Sequence, residues 1–240
     1  MTSFPTRAGA LCLGALAAGA AAAGPLQVEP VLVDVTAPGA ASTLTLRGDG
    51  TPVEAQVRIF RWVQANGEDR LEPTTDVVAS PPALSLKSDA AHVVRIVRVA
   101  KTPVAQEESY RILVDQLPNL AQQRNGTVNL ILRQSIPVFF KPAAASGPKL
   151  TWSVAQANGK ASLLAHNSGD RRVRVSDLKV RDGQGPDLTV AGGLAGYVLP
   201  GATKRWALPG GRAAAGGTLR VAAQGDTGPI DASASSSSRP

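Results

Sequence analysis

The side chains that usually carry chemistry are sparse and badly spaced for it. The chain has two histidines, His92 and His166. Each lies in or beside a short alternating run, with no carboxylate or histidine at ligand spacing, so neither suggests a metal site or a general base. Glu107 and Glu108 are adjacent carboxylates. On a strand such neighbours point to opposite faces, which makes them poor acid/base partners. The sequence contains no HExxH, no GxSxG and no phosphate-cradling glycine loop. The glycines at 48–50 (GDG) and 192–196 (GGLAG) read as turns, because no strand–helix context accompanies them. No catalysis and no cofactor or metal are expected.

What remains is the chemistry of association, and it concentrates in residues 127–142, TVNLILRQSIPVFFKP. Val128, Leu130, Leu132, Gln134, Ile136, Val138 and Phe140 occupy alternate positions, and all but Gln134 are large and apolar. Period-two alternation marks a strand. About thirteen residues at roughly 3.3 Å each would make a strand near 40 Å long, well beyond the usual length. Such a strand can outrun its own sheet and offer apolar side chains and free backbone groups to another chain.

The elements that must position it are strands throughout. No window shows helical spacing of good helix formers. Alternating runs at 26–35, 42–48, 53–64, 76–86, 91–100 and 109–117 precede the long strand, separated by Gly, Pro, Asn and Asp. Pro30 suggests an edge for the first, and Pro81-Pro82 interrupt the fourth. NGED at 66–69 predicts a turn of type I′ character. This spacing predicts an immunoglobulin-like β-sandwich over 24–142. AAASGP at 143–148 reads as a linker. A second, glycine-rich set of strands over 149–225 predicts a second β-sandwich, and the polar residues 226–240 are expected to be disordered.

Residues 1–23 have the pattern of a cleaved signal peptide: Arg7, then a small-residue apolar run ending at Ala21–Ala23. No other stretch approaches a membrane span. The lone Cys12 lies in this leader, so an exported chain would fold without disulfides. The formal charge is +7. The excess is spread rather than clustered, which argues against nucleic acid and for acidic protein partners.

Several stretches taken together resemble the periplasmic pilus-assembly chaperones, in the branch serving spore-coat-U-like or archaic pilus subunits. They are VRIFRW (57–62), VVASPPALSL (77–86), VVRIVR (93–98), EESYRILVDQLP (107–118), SIPVFFKP (135–142), LTWSV (150–154), NSGDRRVRVSDL (167–178) and GYVLPG followed by RW (196–206). The resemblance implies an all-β chain of two immunoglobulin-like domains in an L-shaped arrangement, located in the periplasm. It implies that the last strand of the first domain is lent to an incomplete pilus subunit, which is then delivered to an outer-membrane usher. Val128, Leu130 and Leu132 fall on the donor positions, while Ile136, Val138 and Phe140 are expected to stay in the chaperone's own core. An exposed donor strand also allows a self-capped dimer of the free protein.

Two positions depart from the better-known members. These anchor the subunit's terminal carboxylate with an arginine on the first strand and a lysine on the long strand, and here Leu32 and Pro137 stand in those places. Arg133, Arg95 and Arg98 are the candidate replacements, Arg133 first because it adjoins the donor residues. Lys141 aligns with an interdomain arginine, for which Glu108 is the expected partner. The GYVLPG segment reads as turn chemistry. A secreted two-domain pilus subunit or adhesin is the alternative, disfavoured by the internal position of the alternating strand.

Overall fold

The computed structural model describes residues 26–50, 52–87, 90–118, 131–183, 185–211 and 218–236. Strands form nearly all of its regular structure. The first sandwich contains β1 (Leu26–Glu29), β2 (Val33–Thr36), β3 (Ala41–Gly48), β4 (Val53–Ala65), β5 (Glu68–Pro73), β6 (Val77–Ser80), β7 (Ala83–Leu86), β8 (His92–Arg98), β9 (Glu108–Leu117) and β10 (Arg133–Lys141). One sheet has the order β1-β3-β8-β6, and the other β2-β10-β9-β4-β5 with β7 also paired to β4. Leu44, Leu46, Val94 and Ile96 from the first sheet meet Tyr110, Ile112, Val114, Val138 and Phe140 from the second in one buried core. Alternation drives this: on the strands that fill it, one parity enters the core and the other faces away from it.

Two runs expected as single strands each divide between the sheets. Residues 26–35 form β1 in one sheet and β2 in the other, and 77–86 form β6 and β7 likewise. The breaks fall at Pro30 and at Pro81-Pro82, since proline has no N–H to continue a ladder. Asn66 and Gly67 both have positive φ (56° and 82°), so the NG turn between β4 and β5 is of the predicted type. Strand β5, EDRLEP, is exposed throughout, and without an apolar face it gave no periodic signal.

The second sandwich contains β11 (Leu150–Ala157), β12 (Lys160–Asn167), β13 (Val173–Asp182), β14 (Leu188–Val198), β15 (Thr203–Ala207), β16 (Thr218–Gly225) and β17 (Gly228–Ser236). Their order is β14-β13-β16-β17-β11-β12-β15. Trp152 and Trp206 stack at 5.8 Å in its core. Two expectations are corrected here. The GGLAG run is no turn: it lies inside β14, where Gly193 and Gly196 take positive φ opposite register shifts in β13, as bulges require. Nor is 226–240 a disordered tail as a whole. Gly228–Ser236 is an inner strand, paired antiparallel with β16 along its length and parallel with β11. Backbone hydrogen bonds on both sides, with buried Ala234, outweigh the weak β propensity of Ser and Ala.

Candidate functional site

Strand β10 pairs with β9 from Arg133 to Phe140 but with β2 only from Val138 to Lys141. Among the described residues, Arg133 to Pro137 therefore have a strand on one side alone. The ladder reaches one residue further, where Gln116 N–H donates to the Leu132 carbonyl at 3.0 Å. Ile136, Val138 and Phe140 lie in the first core. Leu132 is half-buried outside that cluster, and Ile131 is 50% exposed. Val128 and Leu130 lie outside the described residues. The described strand thus covers nine residues, Arg133–Lys141, rather than the thirteen expected.

The three candidate cations separate cleanly. Arg98 is not available: its side chain is 7% exposed and donates to both oxygens of Glu108 at 2.8 Å and to the Ala100 carbonyl. Arg95 is exposed but sits on β8, in the sheet that does not contain β10. Arg133 does adjoin the free edge, paired with Asp115, which Arg58 also holds at 2.6 Å. Burial disfavours the Asp115 anion, but hydrogen bonds from Arg133 and Arg58 outweigh it and keep the carboxyl below its ordinary pKa.

The expected pairing of Lys141 with Glu108 is also corrected. Glu108 lies opposite Phe140 and shares its face, so the next residue, Lys141, points the other way. Lys141 instead meets Asp34 of the neighbouring β2 at 2.9 Å. Asp34 is shared with Arg172 of the second domain at 3.0 Å, so Lys141 reaches the domain interface through Asp34. The dominant interdomain ion pair is Arg172 with Glu107 at 2.7 Å, whose side chains are 8% and 0% exposed. The Arg172 guanidinium also lies 3.6 Å over the Phe139 ring. Burial, only partly offset by Arg172, raises the Glu107 pKa.

Around this pair the domains interlock. Trp62 and Phe139 pack with Tyr197 and Leu199, so GYVLPG supplies interface side chains and not turn chemistry alone. The Gln64 amide donates to the Tyr197 carbonyl at 2.7 Å and accepts from the Leu199 N–H at 3.0 Å. Gly67 accepts from the Arg205 N–H, and a Cβ there would stand 2.6 Å from the Arg205 Cβ. Replacing Arg172 by Met would strand a fully buried carboxylate at Glu107. Leaving one member of a buried pair uncompensated costs about 3–5 kcal/mol. We expect the melting midpoint to fall by about 10 °C, measured by calorimetry.

One candidate site residue was not singled out from the sequence. Arg111 lies on β9 directly opposite Pro137, facing out of the core. Its guanidinium sits 3.9 Å over Trp62 and 5.9 Å from Tyr197. Among the described residues its one hydrogen bond goes to the Ser135 carbonyl at 3.3 Å, and it makes no ion pair. Burial lowers its pKa, only partly offset by Asp69. The clue was positional: Arg111 has outward parity and neighbours the proline where the resemblance leads one to expect lysine.

Residues 25–146 match the family described as pili and flagellar-assembly chaperone, PapD N-terminal domain, and the chain belongs to that family. The chaperone protein CssC of Escherichia coli is 25% identical over 123 residues, 45% of this chain and 50% of CssC. The match thus spans about half the length of that curated relative. Among solved structures, the chain resembles one from the CsuC–CsuE chaperone–tip adhesion subunit pre-assembly complex of archaic chaperone-usher Csu pili of Acinetobacter baumannii. The TM-score is 0.71 with 23% identity, covering 88% of this chain and 98% of that one. It also resembles one from the complex of Salmonella enterica SafA pilin with the SafB chaperone, with TM-score 0.59, 20% identity and coverage of 86% and 95%. The Pseudomonas aeruginosa CupB2 chaperone gives TM-score 0.54, 19% identity and coverage of 86% and 98%. These likenesses establish the shared two-domain β-sandwich fold.

Proposed function

We propose that the protein is a periplasmic chaperone that holds pilus subunits of the spore-coat-U-like or archaic class by donor-strand complementation and passes them to an outer-membrane usher. The observation that carries this reading is the one-sided ladder of β10: among the described residues, Arg133–Pro137 have an open edge, and the alternating Val128, Leu130 and Leu132 precede it in sequence. A subunit lacking a strand would gain backbone hydrogen bonds from that edge and side-chain fit from the apolar residues. Burial of three such side chains contributes on the order of 5 kcal/mol before the cost of association. The solved complexes of CsuC with CsuE and of SafB with SafA support a subunit as the partner class.

In this reading the cation that receives the subunit's terminal carboxylate is Arg111. It is desolvated, makes no ion pair among the described residues, and adjoins the position of the missing lysine. Arg133 and Arg98 already serve acids of their own domain.

The test is co-expression with an exported subunit and purification of the complex. Arg111→Met is expected to weaken the complex at least roughly tenfold, the worth of one hydrogen bond to a charged group. Extending the subunit's C-terminus by a few residues should weaken the wild-type complex similarly and add little to the variant. Equal affinity of wild type and Arg111→Met would remove Arg111 from the anchor role.

A further inference from the structure

An open cleft of about 350 Å³ lies where β10 begins, lined by Gln56, Arg58, Asp115, Gln116, Leu132 and Arg133, with Leu117 and Ile131 beside them. Its charges do not balance. Arg58 donates to one oxygen of Asp115 and Arg133 to the other, so two guanidiniums share one carboxylate. Asp115 is the only acid among the described residues that line the cleft. Hydrogen-bonding capacity is also left over. The Arg58 Nε–H is buried with no partner among the described residues, and each guanidinium has five donors. The Arg58 and Arg133 side chains remain 41% and 62% exposed, so an incoming group can reach them.

The cleft spans β4, β9 and the start of β10 and borders the open edge at Arg133, while Arg58 stands on β4, two strands further in. Among the described residues the ladder that leads into β10 begins at the Leu132 carbonyl. A subunit strand running beside residues 131–137 would lie next to Arg133, on the side away from β9.

We propose that this cleft is a second subunit-binding site, separate from Arg111, which receives an Asp or Glu side chain from the strand laid beside residues 131–133. The inference rests on the donor-strand reading and adds to it a determinant of specificity. An acidic residue there meets the Arg133 guanidinium and offsets the excess charge. An apolar residue there leaves the donors desolvated and unmet, and a basic one is repelled. The cleft would thus help choose among subunits whose apolar grooves are alike.

The test uses the full chain and a pilus subunit that forms a soluble one-to-one complex with it. In the Arg133→Lys variant an amine replaces the guanidinium, and a carbodiimide then joins that amine to a carboxylate in contact with it, with loss of water. Mass spectrometry of the digested complex is expected to show a link to one internal Asp or Glu of the subunit. Changing that residue to Asn or Gln should remove the link and speed dissociation roughly tenfold, as Arg133→Met should. Links confined to the chain's own Asp115, or to the subunit's terminal carboxylate, would overturn the proposal. Leu130→Asp, at a proposed donor position, serves as the separate control. If it leaves the complex intact, the donor-strand reading itself has failed, whereas its loss together with a missing internal link refutes the acidic site alone.

Discussion

Leu132→Asp is expected to abolish the soluble one-to-one complex with the subunit while the free protein stays folded. Leu132 is half-buried and precedes β10, and it is no member of the first core, which holds Ile136, Val138 and Phe140. A carboxylate there costs the free chain little. In the complex the same side chain would face the apolar groove of the subunit, where an unpaired charge loses several kcal/mol of hydration. That corresponds to a loss of more than about 100-fold in affinity. Leu130→Asp should act in the same way. Ile136→Asp is the informative contrast: Ile136 is 4% exposed, and its replacement should unfold the first domain. If Leu132→Asp unfolds the free chain too, Leu132 belongs to its own core and is not a lent residue.

Ending the chain after Gly225 is expected to unfold the second domain. The segment removed includes β17, which lies between β16 and β11 in the sheet order. It pairs with β16 from Thr218 to Gly225 and with β11 at Ser153 and Val154. Its loss would leave two open edges in mid-sheet and uncover the side of the core filled by Ala234, Ile230 and Ala232. Near-ultraviolet circular dichroism from the stacked Trp152 and Trp206 should collapse, and the shortened protein should lose the cooperative melting of its second domain or become insoluble. Retention of the full tryptophan signal and of the wild-type melting profile would show that β17 is dispensable.

These two predictions mark what could and could not be read from the residues. Where a side-chain pattern decides the structure, the sequence was legible. The alternation of Ile136, Val138 and Phe140 placed them in the core, and Asn66-Gly67 announced a hairpin because only a few residues tolerate two positive φ angles. Where backbone pairing decides it, the residues were silent. Ser and Ala in 231–236 carry no apolar period, yet ladders on both sides hold them as an inner strand. The exposed β5 was missed for the same reason. GGLAG looked like a turn because glycine permits one, but β13 alongside draws it into a bulged strand.

The site divided along similar lines. The core positions of Ile136, Val138 and Phe140 follow from alternation within one strand, while the proposed donor residues Val128 and Leu130 lie outside the described residues. Charge partners depend on which strands lie side by side, and that is a property of topology. Lys141 was assigned to Glu108, but β2 runs beside β10 and puts Asp34 within reach. Arg98 looked as available as Arg133 until Glu108 was found across it. Arg111 emerged only when the register set it opposite Pro137 and the domain interface brought Tyr197 beside it.

The central claim is that a subunit strand fills the open edge of β10. Amide hydrogen exchange on the purified complex, compared with the free chain, tests it most directly. The account predicts strong new protection across residues 127–136, with little change along β6 or β14. If residues 127–136 exchange as fast in the complex as in the free protein while protection arises elsewhere, the subunit is held by another surface and the donor-strand account is wrong.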